Sequence, residues 1–173
     1  GGLKSHLLKL LKNYIFIEVD IDKNTQLARK YGITSIPRVI VEVANNQKDV
    51  LIDKSGFRSK NQHLSELQYI NQFDLKEVYL ANNESEYGSA YRNLFISDKK
   101  KSYTTLLKLS SKHFKKALKK EKNTINQLNI IYNLKLKGSS KKANKNLEKL
   151  KLDKANLSEI EIEIVQKIIT NSI

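Results

Sequence analysis

The stretch "YGITSIPRVIVEV", residues Tyr31–Val43, contains the only proline in the 173-residue chain. Valine and isoleucine dominate the residues after Pro37, which predicts a β-strand over Arg38–Val43. Because proline has no N–H to donate to a sheet, Pro37 suits the first position of that strand or a sheet edge. An X-Pro bond before a strand is also a candidate for a cis peptide bond, although only about 5–6% of X-Pro bonds in folded proteins are cis. The proline alone does not decide the fold, so the flanking sequence is needed.

The residues on either side of this stretch predict alternating helices and strands. Before the strand Arg38–Val43 they predict a helix over Leu3–Lys12, a strand over Tyr14–Asp20 and a short helix between Asn24 and Gly32. After it they predict a strand over Asp49–Asp53, which forms a hairpin with Arg38–Val43, and a helix that starts at a capping box of Ser59 and Gln62. The order helix, strand, helix, strand, strand, helix is typical of an α/β domain that ends in a hairpin.

From about Asp74 onward the apolar spacing is helical. A stripe from Tyr103 to Leu118 predicts one long helix, and Ile130–Leu150 predicts a helical hairpin that turns at Gly138. A final helix is predicted after Ser158, although Glu159–Ile164 also alternates with the period of a strand. We therefore expect two domains, residues 1–73 and a basic α-helical region of residues 74–173.

Residues 16–41, "FIEVDIDKNTQLARKYGITSIPRVIV", together with "GFRSKNQHLSEL" from Gly56, resemble a thioredoxin-like domain. The resemblance covers roughly the first 70 residues. It implies a partial thioredoxin-like α/β fold that lacks the first strand and helix, followed by an all-α C-terminal region. It also implies that the bond before Pro37 is cis. The hairpin Ile130–Leu150 resembles one tetratricopeptide unit in a degenerate pattern, and an ordinary antiparallel helix pair is the alternative.

The thioredoxin-like resemblance implies thiol–disulfide exchange by a Cys-x-x-Cys motif, but the chain contains no cysteine. By the family's spacing the motif would lie a few residues before Gly1, so it is either encoded upstream or missing. As it stands, the chain should have no redox activity. The alternative is a non-catalytic thioredoxin-fold module that binds a protein or peptide and uses its helices for docking.

The resemblance also implies where a partner would dock. It places the binding face at Ser35, Ile36, Pro37 and Arg38, although an arginine stands at 38 where the family often has threonine. No catalytic residue, cofactor or metal ion is expected. Three scattered histidines give no metal-ligand spacing, and the phosphate-loop and hydrolase motifs are absent. Export to a bacterial periplasm is favoured over a cytoplasmic location.

The charge of the chain is segregated. Between Asp98 and Lys154 there are 18 lysines and four acidic residues, so this segment carries the whole formal net charge of +14. Every cation in the segment is a lysine, whereas bidentate contacts to phosphates and guanine edges favour arginine, and aromatic residues for base stacking are few. We therefore interpret the lysines as a solvated face and expect neither nucleic acid nor a membrane surface as a partner.

Overall fold

The structure is a computed structural model that describes residues 8–10 and 12–170. The chain divides into two compact units, Gly1–Asp74 and Leu75–Ile173, each of which is described by itself. Most of the helix predicted over Leu3–Lys12 lies outside the described residues, although residues 8–10 are helical.

The first unit is built around a β-hairpin. Its elements are helix α1 (Thr25–Lys30), strands β1 (Arg38–Glu42) and β2 (Val50–Ser55), and helix α2 (Lys60–Asn71). The strands pair antiparallel with Arg38 opposite Ser55, and the register shifts between Val41 and Glu42. This confirms the predicted hairpin. The capping box of Ser59 and Gln62 at the start of α2 is confirmed as well.

The fold class predicted for this unit is wrong. In the described part of the chain the only sheet is the two-stranded antiparallel hairpin, and the protein is mainly α rather than a thioredoxin-like α/β fold. Tyr14–Asp20 was predicted as a buried strand, but it is irregular, and the side chains of Ile15 and Ile17 are 87% and 79% exposed. A strand requires a neighbouring strand to accept and donate its backbone hydrogen bonds. β-Branched composition alone does not provide that neighbour, so an apolar run can remain at the surface.

The second unit is entirely helical apart from its connections. Its elements are α3 (Lys76–Leu80), α4 (Glu84–Ser97), α5 (Thr105–Lys120), α6 (Thr124–Leu136), α7 (Ser140–Lys149), a 3₁₀ turn (Lys154–Asn156) and α8 (Glu159–Ile169). Helix α4 packs on α5, α5 packs on α6, and α6 packs on both α7 and α8. The hydroxyl of Ser158 accepts a hydrogen bond from the Glu161 N–H, which confirms the predicted cap of the last helix and decides against a strand there.

Two kinds of contact hold these helices together. A cluster of apolar side chains joins α6, α7 and α8, and its buried members are Leu128, Ile131, Ala143, Ile164 and Ile168. Between α4 and α5 the packing is closer, because Gly88 lies directly against the ring of Phe114. The turn from α6 to α7 passes through Gly138 at φ +89°, as expected for a glycine that ends a helix. Ile130–Leu150 thus forms the predicted helical hairpin.

Candidate functional site

The four residues predicted as a binding face lie next to one another in the loop before β1 and at its first residue. Ser35, Ile36 and Pro37 are exposed, with 67% of Ile36 accessible to solvent. The Ile36–Pro37 bond is cis, which confirms that prediction. The carbonyl of Pro37 accepts a hydrogen bond from the N–H of Gly56, so the loop is attached to the end of β2. That a peptide docks here stays a prediction.

Arg38, the fourth predicted residue, is engaged within its own unit. Its Nε and Nη2 atoms donate to the two carboxylate oxygens of Asp53 at 2.6 Å each, and Nη1 donates to the Gly32 carbonyl at 2.8 Å. The hydrogen bonds from Arg38 lower the pKa of Asp53 from its ordinary value. These three hydrogen bonds connect the hairpin to the end of α1. They use most of the donors of Arg38, so few remain for a ligand.

A second arginine, Arg92 in the middle of α4, stands in a different environment. Its neighbours Tyr91, Leu94 and Phe95 are buried and hold α4 in place, while Arg92 itself is half-buried at the side of the helix. The guanidinium lies over two aromatic rings, 5.1 Å from the centre of Phe114 and 5.0 Å from that of Tyr132. Cation–π contacts of this kind fix the plane of the guanidinium.

The charge of Arg92 is not balanced by a carboxylate. Nη1 donates to the Oδ1 of Asn129 at 2.7 Å. Among the described residues, this neutral amide is the hydrogen-bond acceptor for the guanidinium. The described residues also provide no ion pair for the guanidinium. Burial lowers the pKa of Arg92 from its ordinary value to about 10, because removal from water disfavours the charged form. Arg92 therefore remains protonated at neutral pH as a largely desolvated cation that has no direct ion pair among the described residues.

Arg92 lines a groove of about 490 Å³ within the helical unit. The apolar part of its lining includes Ala90, Phe114, Ile125 and Ile164, and the polar part includes Ser85, Asn126 and Asn129. Ser85 donates to the Oδ1 of Asn126 at 3.0 Å, so these polar groups are held in fixed positions. The groove therefore combines an apolar lining with one cation, several neutral hydrogen-bonding groups and two glutamates.

Two glutamates also line this groove, and both have neutral hydrogen-bond donors. Glu86 accepts from the backbone N–H of Asn82 at 2.7 Å, and Glu77 accepts from the side-chain amide of Asn93 at 3.1 Å. Both acids are thus held by other groups, and neither forms an ion pair with Arg92 among the described residues.

Two further kinds of chemical group matter for function in the described residues, namely metal ligands and histidine–carboxylate pairs. No group of three His, Cys, Asp or Glu side chains that could hold a metal ion is found among residues 8–10 and 12–170. A histidine–carboxylate pair does exist, with Nδ1 of His113 2.5 Å from Oε2 of Glu84. The His113 ring is fully buried beside Tyr87 and Tyr91, so a substrate has no access to it. Within the described helices, none is long and apolar enough to cross a membrane.

Sequence reasoning missed the Arg92 groove, although one signal was present. Arg92 is the only arginine after Asp74, in a region where every other strong base is lysine. A lone arginine among lysines draws attention to the planar guanidinium, whose geometry a lysine cannot reproduce. Its partners could not be identified from spacing, because Phe114, Asn129 and Tyr132 come from two other helices.

The chain matches no protein-family model, no curated protein and no solved structure. The site must therefore be interpreted from its own residues and their geometry.

Proposed function

We propose that this protein is a non-catalytic binding module whose helical unit receives an acidic peptide segment of a partner protein in the Arg92 groove. The observation that carries the proposal is the desolvated guanidinium of Arg92, which faces the groove with a single neutral acceptor. A carboxylate suits an arginine in this position, because the planar guanidinium can donate two parallel hydrogen bonds to the two carboxylate oxygens. The apolar residues of the groove would hold the neighbouring side chains of the same peptide.

A peptide fits this groove better than a small free anion. The apolar part of the lining lies beside the cation, so that a ligand must offer both a carboxylate and apolar groups to fill the site. An Asp or Glu side chain flanked by apolar residues has this combination. Proposing a binding module keeps the class of function that the sequence suggested as an alternative to redox chemistry, but the site moves from the loop at Pro37 to the helical unit.

Thiol–disulfide exchange, the first function suggested by the sequence, has lost its support. It was implied by a resemblance whose fold the structure does not have, and the chain holds no thiol to act as a nucleophile.

The proposal is tested by the binding of short labelled peptides to the whole chain. The probes carry one Glu between apolar residues, and matched peptides carry Gln in its place. Fluorescence anisotropy is measured at about 0.3 M salt, where long-range attraction to the basic surface is screened. We expect the Glu peptides to bind and the Gln peptides to bind at least about tenfold more weakly.

Two substitutions separate loss of binding from loss of folding. Arg92→Gln should weaken binding of the Glu peptide about 30-fold or more, as expected when one partner of a desolvated charge pair is removed. Asn129→Asp should also abolish binding. The new carboxylate would replace the amide that lies 2.7 Å from Nη1 and pair with Arg92, so that the peptide carboxylate could no longer do so. Since this variant gains an ion pair, its melting temperature should not fall.

The control is Lys149→Gln, which removes one positive charge from an exposed site on α7 and should leave binding unchanged. Equal binding of the Glu and Gln peptides would refute the proposal. So would full binding by a folded Asn129→Asp variant.

A further inference from the structure

A second groove in the helical unit lies between α5 and α6, and most of its lining residues are positively charged. Its volume is about 580 Å³, and its lining contains six lysines and no acidic residue. The lysines are Lys108, Lys112, Lys115, Lys116, Lys119 and Lys137. The first five follow one side of α5, and the sixth caps the end of α6. The basic segment therefore does more than form a convex solvated face, because part of its charge converges on a concave surface.

The lysines of this groove are largely free to bind an anion. Lys108, Lys115, Lys116, Lys119 and Lys137 form no ion pair with any carboxylate of the described residues. The positive charges of these lysines repel one another, so this repulsion raises the free energy of the groove without a ligand. A ligand with several negative charges would remove that repulsion.

A hydroxyl in the same groove is positioned to donate to such a ligand. The Oγ of Ser111 accepts a hydrogen bond from the buried amide of Asn133 at 3.0 Å, and the same amide donates to Ser110 at 2.8 Å. Because its oxygen accepts this bond, the Ser111 hydroxyl keeps its own proton for another acceptor. Oxyanions are strong acceptors for hydroxyl and ammonium donors alike.

From these observations we infer that the basic groove between α5 and α6 binds single-stranded nucleic acid through its phosphates. Lys108 and Lys119 are eleven residues apart on one helix, which spans about 16 Å at 1.5 Å per residue. A row of charges of this length matches a linear polyanion with regularly spaced phosphates. Because the lysines line a groove rather than a flat face, an extended strand can follow them more closely than a flat bilayer surface can.

The argument from the sequence against nucleic acid concerns bidentate contacts and base stacking, and neither is required to hold a phosphate. Lysine binds a phosphate as a point charge without needing the bidentate geometry of arginine. The groove contains no aromatic side chain, so no base stacking is expected. Binding should therefore depend on salt and be insensitive to base sequence.

The test compares two triple variants with equal loss of charge. Lys108, Lys115 and Lys119 are changed to Gln in the groove variant, and Lys141, Lys142 and Lys145 on α7 are changed to Gln in the control variant. All six side chains are exposed, and far-UV circular dichroism checks that both proteins are folded. Binding of a labelled oligothymidine strand is measured by anisotropy over a series of salt concentrations. Vesicles containing an anionic phospholipid provide a parallel arm.

The wild-type chain should bind the oligonucleotide with a log–log salt slope of about −3, as expected when about four phosphates are neutralised. The groove variant should bind at least about tenfold more weakly at low salt, with a slope reduced by about 2. The control variant should lose much less affinity. The inference is overturned if both variants lose affinity equally, if the wild type does not bind the strand at low salt, or if it binds the anionic vesicles in preference to the strand.

Discussion

At the scale of single residues, the contact between Gly88 and Phe114 controls how closely α4 approaches α5. A Cβ atom added to Gly88 would lie 2.8 Å from Phe114 Cε2, nearer than real Cβ contacts allow. On the same backbone unit, the Gly88 carbonyl accepts a hydrogen bond from the buried hydroxyl of Ser110 at 2.6 Å. Helix α4 is thus fixed to α5 by a contact that depends on the absence of a side chain.

We predict that Gly88→Ala lowers the free energy of unfolding by up to about 2 kcal/mol, because overpacking a core usually costs about 1–3 kcal/mol and better helix propensity offsets about 1 kcal/mol of that. The buried ring of Phe114 has little room to move, and this cost exceeds the gain of about 1 kcal/mol from replacing a helical glycine by alanine. Urea unfolding followed by circular dichroism measures the change. Ser89→Ala, one residue further along α4, is the control and should shift the free energy by less than about 0.5 kcal/mol. An increase in stability for Gly88→Ala would contradict this account of the packing.

At the scale of elements, several helices begin at a side-chain cap. Asn83, Asn123 and Ser158 each accept a hydrogen bond from the backbone N–H three residues later, at the starts of α4, α6 and α8. Caps of this kind satisfy donors that the helix itself leaves unpaired. The cap of α6 has a functional consequence as well, since this helix carries Asn126 and Asn129 of the Arg92 groove.

We predict that Asn123→Ala destabilises the protein by about 1 kcal/mol, because the N–H of Asn126 loses its acceptor at 3.0 Å. Asn123→Asp keeps an acceptor and should be close to wild type. Thermal unfolding of the two variants beside the wild type provides the measurement. If the Asp variant is destabilised as much as the Ala variant, the cap does not act through this hydrogen bond.

At the scale of the whole molecule, the chain forms two compact units, and each has buried residues of its own. In the first unit Val43, Leu51, Ile52 and Ile70 are buried, and in the second a cluster from Leu128 to Ile168 joins three helices. A unit with its own core can fold without its neighbour. Both candidate grooves lie in the second unit, so this unit should keep its binding properties when isolated.

We predict that a fragment of residues 75–173 folds on its own into a helical domain. It should show a helical circular dichroism spectrum and a cooperative thermal transition, because the cluster of α6, α7 and α8 lies wholly within it. Denaturation of the fragment beside the whole chain gives the comparison. A fragment without a cooperative transition would mean that the two units share one folding core.

Local signals made much of the secondary structure predictable. The hairpin, the capping box at Ser59, the cap at Ser158 and the glycine turn at Gly138 are each specified by residues within a few positions of one another. Charge segregation could likewise be established from the sequence by counting. In each case the physical cause, whether a side-chain hydrogen bond or a backbone preference, acts between neighbours in the chain.

The tertiary structure alone decided the rest. Tyr14–Asp20 has the composition of a strand, yet a strand exists only where another segment pairs with it, and composition does not say whether such a segment is present. Arg92 becomes a candidate site only when the rings of Phe114 and Tyr132 and the amide of Asn129 meet it from two other helices. The lysines of α5 become a groove only when α6 packs beside them. Burial and charge balance depend on contacts between residues far apart in the chain, and these distances are set by packing.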